Sequence, residues 1–244
     1  MTVLRKINLI ISKLNIFDLL FFTLLISSVV ISMVTEMKNL IFTIPPATLC
    51  IIGKYIQIKR RKINILFTLA LLSIFVSEIL VFSDFKTYLL WITILNIIFL
   101  LLTSLVLKNY LRFGKIRSSI NFSVFLSTAL VVYLLFSVFH LILEKVYGIQ
   151  VYFTILCEFS ILLFLFQVGK IYLSNYYKTG TMLLASGLFC LFQILLSIIN
   201  EFLYYNTTFT TLIITCHSLA LYLLSRFLLK TNSLNKEDIR EKYI

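Results

Sequence analysis

Eight nearly unbroken apolar stretches, 15–34, 39–56, 63–82, 88–107, 119–143, 151–169, 182–204 and 208–229, fill most of this 244-residue chain. Each is 18–25 residues long. At about 1.5 Å rise per residue, a helix of that length crosses a hydrocarbon core about 30 Å thick. A barrel strand would read as about ten residues of alternating polarity. These runs are continuous, so the expected fold is all-α: a polytopic membrane bundle of about eight transmembrane helices.

The basic residues between the stretches alternate in density. Arg5, Lys6 and Lys13 precede the first. Lys59, Arg60, Arg61 and Lys62 follow the second, and Lys108, Arg112, Lys115 and Arg117 the fourth. Lys170 and Lys178 follow the sixth; Lys230, Lys236, Arg240 and Lys242 follow the eighth. That places 17 on one side and only Lys38, Lys86 and Lys145 on the other. Lys54 and Arg226, within segments, are expected to snorkel to the nearer surface. Basic loops stay in the cytoplasm, so both termini are expected there.

Composition agrees. Hydrophobic residues are 60% of the chain, more than a soluble fold can hide. The net charge of +12 reads as a cytoplasmic belt meeting anionic lipid, not as a nucleic-acid surface. The expected partners are membrane lipids. The first apolar run is too long for a signal peptide and reads as an uncleaved span. Residues 1–244 read as one integral membrane domain, with 231–244 a short cytoplasmic tail whose LNKEDIREKY run is expected to add a short helix. No segment is large enough for a kinase or cyclase domain. The four cysteines, Cys50, Cys157, Cys190 and Cys216, lie within apolar segments without metal-ligand spacing and read as small hydrophobes. No metal or cofactor is expected.

Pro45 and Pro46 remove two amide donors early in the second segment and should break or kink it. Short loops make sequential helices expected neighbours. Most of the 23 Phe and 13 Tyr are expected at lipid or at the interfaces, with Tyr176, Tyr177, Tyr204 and Tyr205 in the headgroup belts.

Polar groups inside spans are costly and mark pathways, sites or interhelical bonds. Counting residues from the outer surface puts Glu78, Glu158, Asn96, His217 and Gln193 in one slab, roughly 6–17 Å deep, from five helices. His140 falls nearer the rim and Gln167 nearer the cytoplasm. The bland reading of each amide and of His217 is a hydrogen bond to a neighbouring helix. A carboxyl in hydrocarbon must take up a proton or find a partner. Glu78 and Glu158 are therefore the candidate acid/base groups, with Gln193 beside them; Asn96 and His217 are candidate ligand-binding groups. Asp18, Asp84, Glu36, Glu144 and Glu201, at segment ends, read as solvated or interfacial.

Three stretches carry a likeness. Thr43-Ile44-Pro45 sits where the YhhN family, which includes the lysoplasmalogenases, has Thr-Lys-Pro in its second span. LALLSIFVSEILVF at 69–82 resembles the third-span pattern, with Ser77-Glu78 in place of Gly-Asp. LFCLFQILLSIINEF at 188–202 is similar in its apolar frame to the seventh-span pattern, Asn200 and Phe202 included, with Phe192-Gln193 in place of Ser-Asp. A family histidine of the fourth span is replaced near Thr103, and a last-span glutamine falls near His217 or Ser218. The resemblance implies hydrolysis of the vinyl-ether bond of a lysoplasmalogen, giving a fatty aldehyde and a glycerophospho-base. Glu78 would be the acid, Gln193 would orient water, and Glu158 would replace the lost aspartate. A catalytically silent relative, binding or sensing lipid, is the alternative. A small transporter is third, since six glycines and two prolines are few for broken helices. The composition, rich in Ile, Lys, Asn and Phe, points to a bacterial plasma (inner) membrane.

Overall fold

A computed structural model describes residues 16–60, 63–111, 122–174 and 176–231. Every regular element among them is helical: α1 (Ile16–Val34), a 3-10 segment (Met37–Phe42), α2 (Ile44–Lys59), α3 (Ile65–Asp84), α4 (Leu89–Lys108), α5 (Phe122–Leu143), α6 (Ile149–Leu173), α7 (Gly180–Phe202) and α8 (Thr207–Lys230). Counting Met37–Lys59 as one, eight helices are long and apolar enough to span a membrane. The chain is a multi-pass membrane helix bundle. The expected tail helix and the N-terminal basic residues lie outside the described residues.

Local chemistry sets the helix starts. Asn64 Oδ1 accepts the amides of Leu66 and Phe67 (3.1 and 3.4 Å) at the start of α3, and Asn206 Oδ1 accepts that of Thr208 (2.8 Å) at the start of α8. Pro45 and Pro46 fall in the first turn of α2, where the missing amides would have had no intrahelical partner. The second segment is therefore broken cleanly into a 3-10 segment and an α-helix. Gly148, at φ 61°, supplies the left-handed turn before α6.

The helices close a ring in the order α2, α3, α4, α6, α5, α7, α8 and back to α2, with α1 outside against α2 and α8. One expectation fails here. Helices α4 and α5 are consecutive but do not pack; α4 packs on α6 instead. Their connection is the longest in the chain, so short-loop adjacency does not apply to it. The α6 and α7 helices also touch directly, and α5 wedges beside them through Leu135, Val138, Phe139 and Ile142. The other end of α5 exposes Phe122, Phe125, Leu126 and Leu130. In a bilayer such surface meets acyl chains; in water it would be an aggregation patch.

The aromatic expectation holds in part. Tyr176, Tyr204 and Tyr205 are exposed, but Phe21, Phe67, Phe164 and Phe227 are fully buried. Tyr177 donates to the Tyr110 carbonyl (3.2 Å) and packs edge-on against Tyr110 and Phe227.

Candidate functional site

The ring encloses a cavity at one end of the bundle, the end that carries Lys38, Lys86 and Lys145. Its empty volume is about 1130 Å³, mouth included. Met37, Phe82, Phe85, Leu89 and Ile142 line it near the helix ends, so it opens among the four sparsely charged connections. Most of the wall is apolar, and the polar groups converge on a few positions.

At its centre is Glu78 on α3, only 4% exposed. Its Oε1 accepts the Thr48 hydroxyl from α2 at 2.6 Å and lies 2.6 Å from His217 Nε2 on α8. Most hydroxyls in these helices donate to a carbonyl one turn back, as Thr93, Thr154 and Ser160 do. Thr48 gives its proton to Glu78 instead. Both partners occupy one oxygen; Oε2 is buried with no hydrogen-bond partner. A buried carboxyl with an unpaired oxygen is an expensive arrangement in an apolar setting.

Around this pair, Asn96 on α4 donates to Ser77 Oγ (3.3 Å) and to the Ile92 carbonyl (2.8 Å). Gln193 on α7 is half-buried and lines the same cavity, as do Ser197 and Thr210. Four of the five residues placed at one depth by counting therefore share one cavity: Glu78, Asn96, Gln193 and His217.

Glu158 does not join them. The inward stripe of α6 is Thr154, Cys157, Ile161, Phe164 and Val168, at helical spacing. Glu158 falls one residue off that stripe, half-buried beside exposed Phe159, and is not among the cavity residues. Thr154 and Cys157 on the same helix do line the cavity, so Glu158 differs from them in rotation about the α6 axis. His140, left out of the slab, is exposed, with Nδ1 3.8 Å from Glu144 Oε1. Thr103 is buried without lining the cavity. Thr43 bonds the Leu40 carbonyl (3.3 Å), while its neighbour Ile44 forms part of the cavity wall.

Two groups escaped the sequence reading. Thr48 looks like any span threonine, and nothing in its spacing marks it. Glu201, expected at the interface, lines the cavity on α7 with Lys86 near enough to act on it electrostatically. Just below, Asn200 ties the α7–α8 connection, its amide donating to Thr210 Oγ1 (3.2 Å) and its Oδ1 accepting the Asn206 amide (2.8 Å). That brace holds the cavity mouth on the α7–α8 side.

A second buried pair was also missed. Asp18 on α1 and Lys54 on α2 meet at 2.5 Å, each side chain 12% exposed. The sequence reads Asp18 as solvated or interfacial and Lys54 as snorkelling to the nearer surface. Instead each neutralises the other, and the Gly53 position lets Phe17 of α1 press against α2 beside them.

No family model matches the chain, and no curated protein or solved structure matches it either.

Proposed function

We propose that this chain is a lysoplasmalogenase-type hydrolase embedded in a bacterial plasma membrane, acting on the vinyl-ether bond of a single-chain membrane lipid. The observation that carries the reading is Glu78: a buried carboxyl at an amphipathic cavity, one oxygen fixed by Thr48 and His217 and the other unpaired. Enol-ether hydrolysis needs such an acid. The proton of the Glu78 carboxyl adds to the alkenyl carbon remote from the ether oxygen, leaving an oxocarbenium at the carbon that bears that oxygen. Water bonds to that carbon and loses a proton, which returns to Glu78. The hemiacetal then collapses: its hydroxyl proton passes to the glycerol oxygen as that C–O bond breaks, releasing aldehyde and glycerophospho-base. In this reading Gln193 orients the water and Asn96 binds the polar part of the lipid, both from the cavity wall. His217 holds Glu78 in register.

Purified protein incubated with a lysoplasmalogen should release aldehyde, read by mass spectrometry, and Glu78→Gln should release none. Absence of aldehyde from the wild type sinks the enzyme reading. The silent lipid-binding relative is then the better account. It is favoured by Gln193, an amide where the resembling pattern has an acid. It requires a lipid that co-purifies with both forms.

The same proposal places both termini in the cytoplasm and the cavity mouth toward the outer face. Its support is the 17-to-3 division of basic residues. A reporter fused after Ile244 should be active only as a cytoplasmic type, and one inserted at 144–150 only as an external type. An external C-terminus would overturn it.

A further inference from the structure

The cavity around Glu78 is charged against the trend of the chain. Lys and Arg outnumber Asp and Glu by 22 to 10. Yet no Lys or Arg lines this cavity, while two carboxyls, Glu78 and Glu201, do. The proposed reaction uses only the first. Glu201 stands at the mouth, one residue before Phe202, the last of α7. Glu78 lies six residues before Asp84, the last of α3. At about 1.5 Å per residue the two carboxyls are separated by about 8 Å along the bundle axis. One stripe of α7, Gln193, Ile194, Ser197, Ile198 and Glu201, forms the wall between those levels.

Glu201 is half-buried, and among the described residues no cation lies within ion-pair distance of it. Lys86, exposed and outside the lining, acts on it only from farther off. Asp18 and Asp84, by contrast, are held. Asp18 has Lys54, and Asp84 accepts the Thr87 amide (3.2 Å) and hydroxyl (2.7 Å). The rim beside Glu201 is aromatic. Phe85 and Phe202 line the cavity and pack edge-on, their ring centres 6.2 Å apart, and Phe82 and Phe139 line it as well. A carboxylate among phenyl rings above an apolar chamber suits an ammonium ion with an apolar body. The rings attract the cation through their negative faces, and the carboxylate neutralises it. An anion would meet Glu201 with no ammonium or guanidinium in the lining to receive it.

We propose that this cavity binds an ammonium ion carrying an apolar body, with Glu201 as its counter-ion, Phe85 and Phe202 against the cation, and the apolar part in the chamber between Glu201 and Glu78. The ammonium belongs to a lipid headgroup or to a free organic cation, and Glu201 recognises the group the two share. Binding of this kind needs no turnover, so it stands or falls apart from the proposed hydrolysis.

The test uses the full chain in dodecyl maltoside, a detergent without charge or ammonium, and isothermal titration calorimetry against empty micelles. Three probes share a benzyl group: benzyltrimethylammonium, benzyl alcohol and phenylacetate. Wild type should bind the cation about tenfold more tightly than either of the others. Glu201→Gln should weaken cation binding about tenfold, the loss of one charged contact. Phe85→Leu should weaken it about threefold. Asp84→Asn, which removes an exposed carboxylate outside the lining, should leave it unchanged. Equal affinity of the wild type for the cation and for phenylacetate overturns the proposal, and so does unchanged affinity in Glu201→Gln. An equal loss in Asp84→Asn overturns it too, since that would mean surface charge and not a site. Glycerophosphocholine is the competing probe. If it displaces the benzyl cation from wild type, the ammonium belongs to a lipid headgroup; if it does not, to a free organic cation. Either result supports the site once Glu201→Gln has lost it. Should Glu201→Gln not fold, Phe85→Leu decides, and unchanged affinity in it overturns the proposal. A wild type that binds the cation but releases no aldehyde from a lysoplasmalogen sinks the hydrolysis and leaves this site standing.

Discussion

Asp18 and Glu78 are both buried carboxyls in an apolar bundle, and the two ends of the molecule treat them differently. Asp18 meets a full opposite charge, Lys54, at 2.5 Å. Glu78 meets an imidazole and a hydroxyl on one oxygen and nothing on the other. The first region spends its charged groups on each other. The second keeps a carboxyl oxygen unpaired beside a cavity of about 1130 Å³. A buried carboxyl that is neutralised by a cation reads as architecture; one left half-satisfied at a cavity reads as chemistry.

Five variants sharpen or break that contrast. Glu78→Gln should have the largest effect, a loss of roughly 10²–10⁴-fold in aldehyde release, since a proton donor to carbon is removed. Circular dichroism and expression should be unchanged, because the amide fills nearly the same volume. Unchanged turnover would show that the unpaired oxygen is incidental.

Next is the other carboxyl. Lys54→Met leaves Asp18 buried without its cation and should cost about 3–5 kcal/mol, read as a lower unfolding midpoint in detergent. The double variant Asp18→Asn/Lys54→Met should recover much of that loss while leaving aldehyde release at the wild-type level. If the single and double variants are equally unstable, the pair is not the source of the penalty.

Thr48→Val comes third. It deletes one of the two donors holding Glu78 Oε1 at almost constant volume. A hydrogen bond to a charged or partly charged acceptor is worth about 1.5–3 kcal/mol, so turnover should fall roughly tenfold or somewhat more. A stability loss with full turnover would make Thr48 a packing residue only. Glu158→Gln should do least: less than about twofold in turnover and within about 0.5 kcal/mol in stability. A large fall in turnover there would mean that α6 turns its other side to the substrate.

How much of this could be read from the chain varies by direction in space. Along the membrane normal the reading was good. Each residue advances a helix by a fixed rise, so position in a segment gives depth, and Glu78, Asn96, Gln193 and His217 do converge on one cavity. The break at Pro45-Pro46 was equally legible, because a missing amide is a local fact. Around the helix axis the reading failed. Glu158 belongs to the right level and the wrong side, and α6 is apolar on nearly all faces, so no stripe betrays the inward one. Thr48 was invisible for the same reason, and Glu201 was assigned to the interface because only its distance from the segment end could be judged.

The sequence alone therefore determined what depends on one helix at a time: eight apolar lengths, alternating charge between them, the proline-defined start of α2, and the common level of Glu78, Asn96, Gln193 and His217. Only the tertiary structure decided what depends on helices meeting: that α4 packs on α6 and not on α5, that Asp18 finds Lys54, that Thr48 and His217 share one oxygen of Glu78. The physical reason is the solvent. In water an apolar stripe marks the face a helix buries. In lipid both faces are apolar, and the choice of partner passes to close packing and a few hydrogen bonds that no single segment displays.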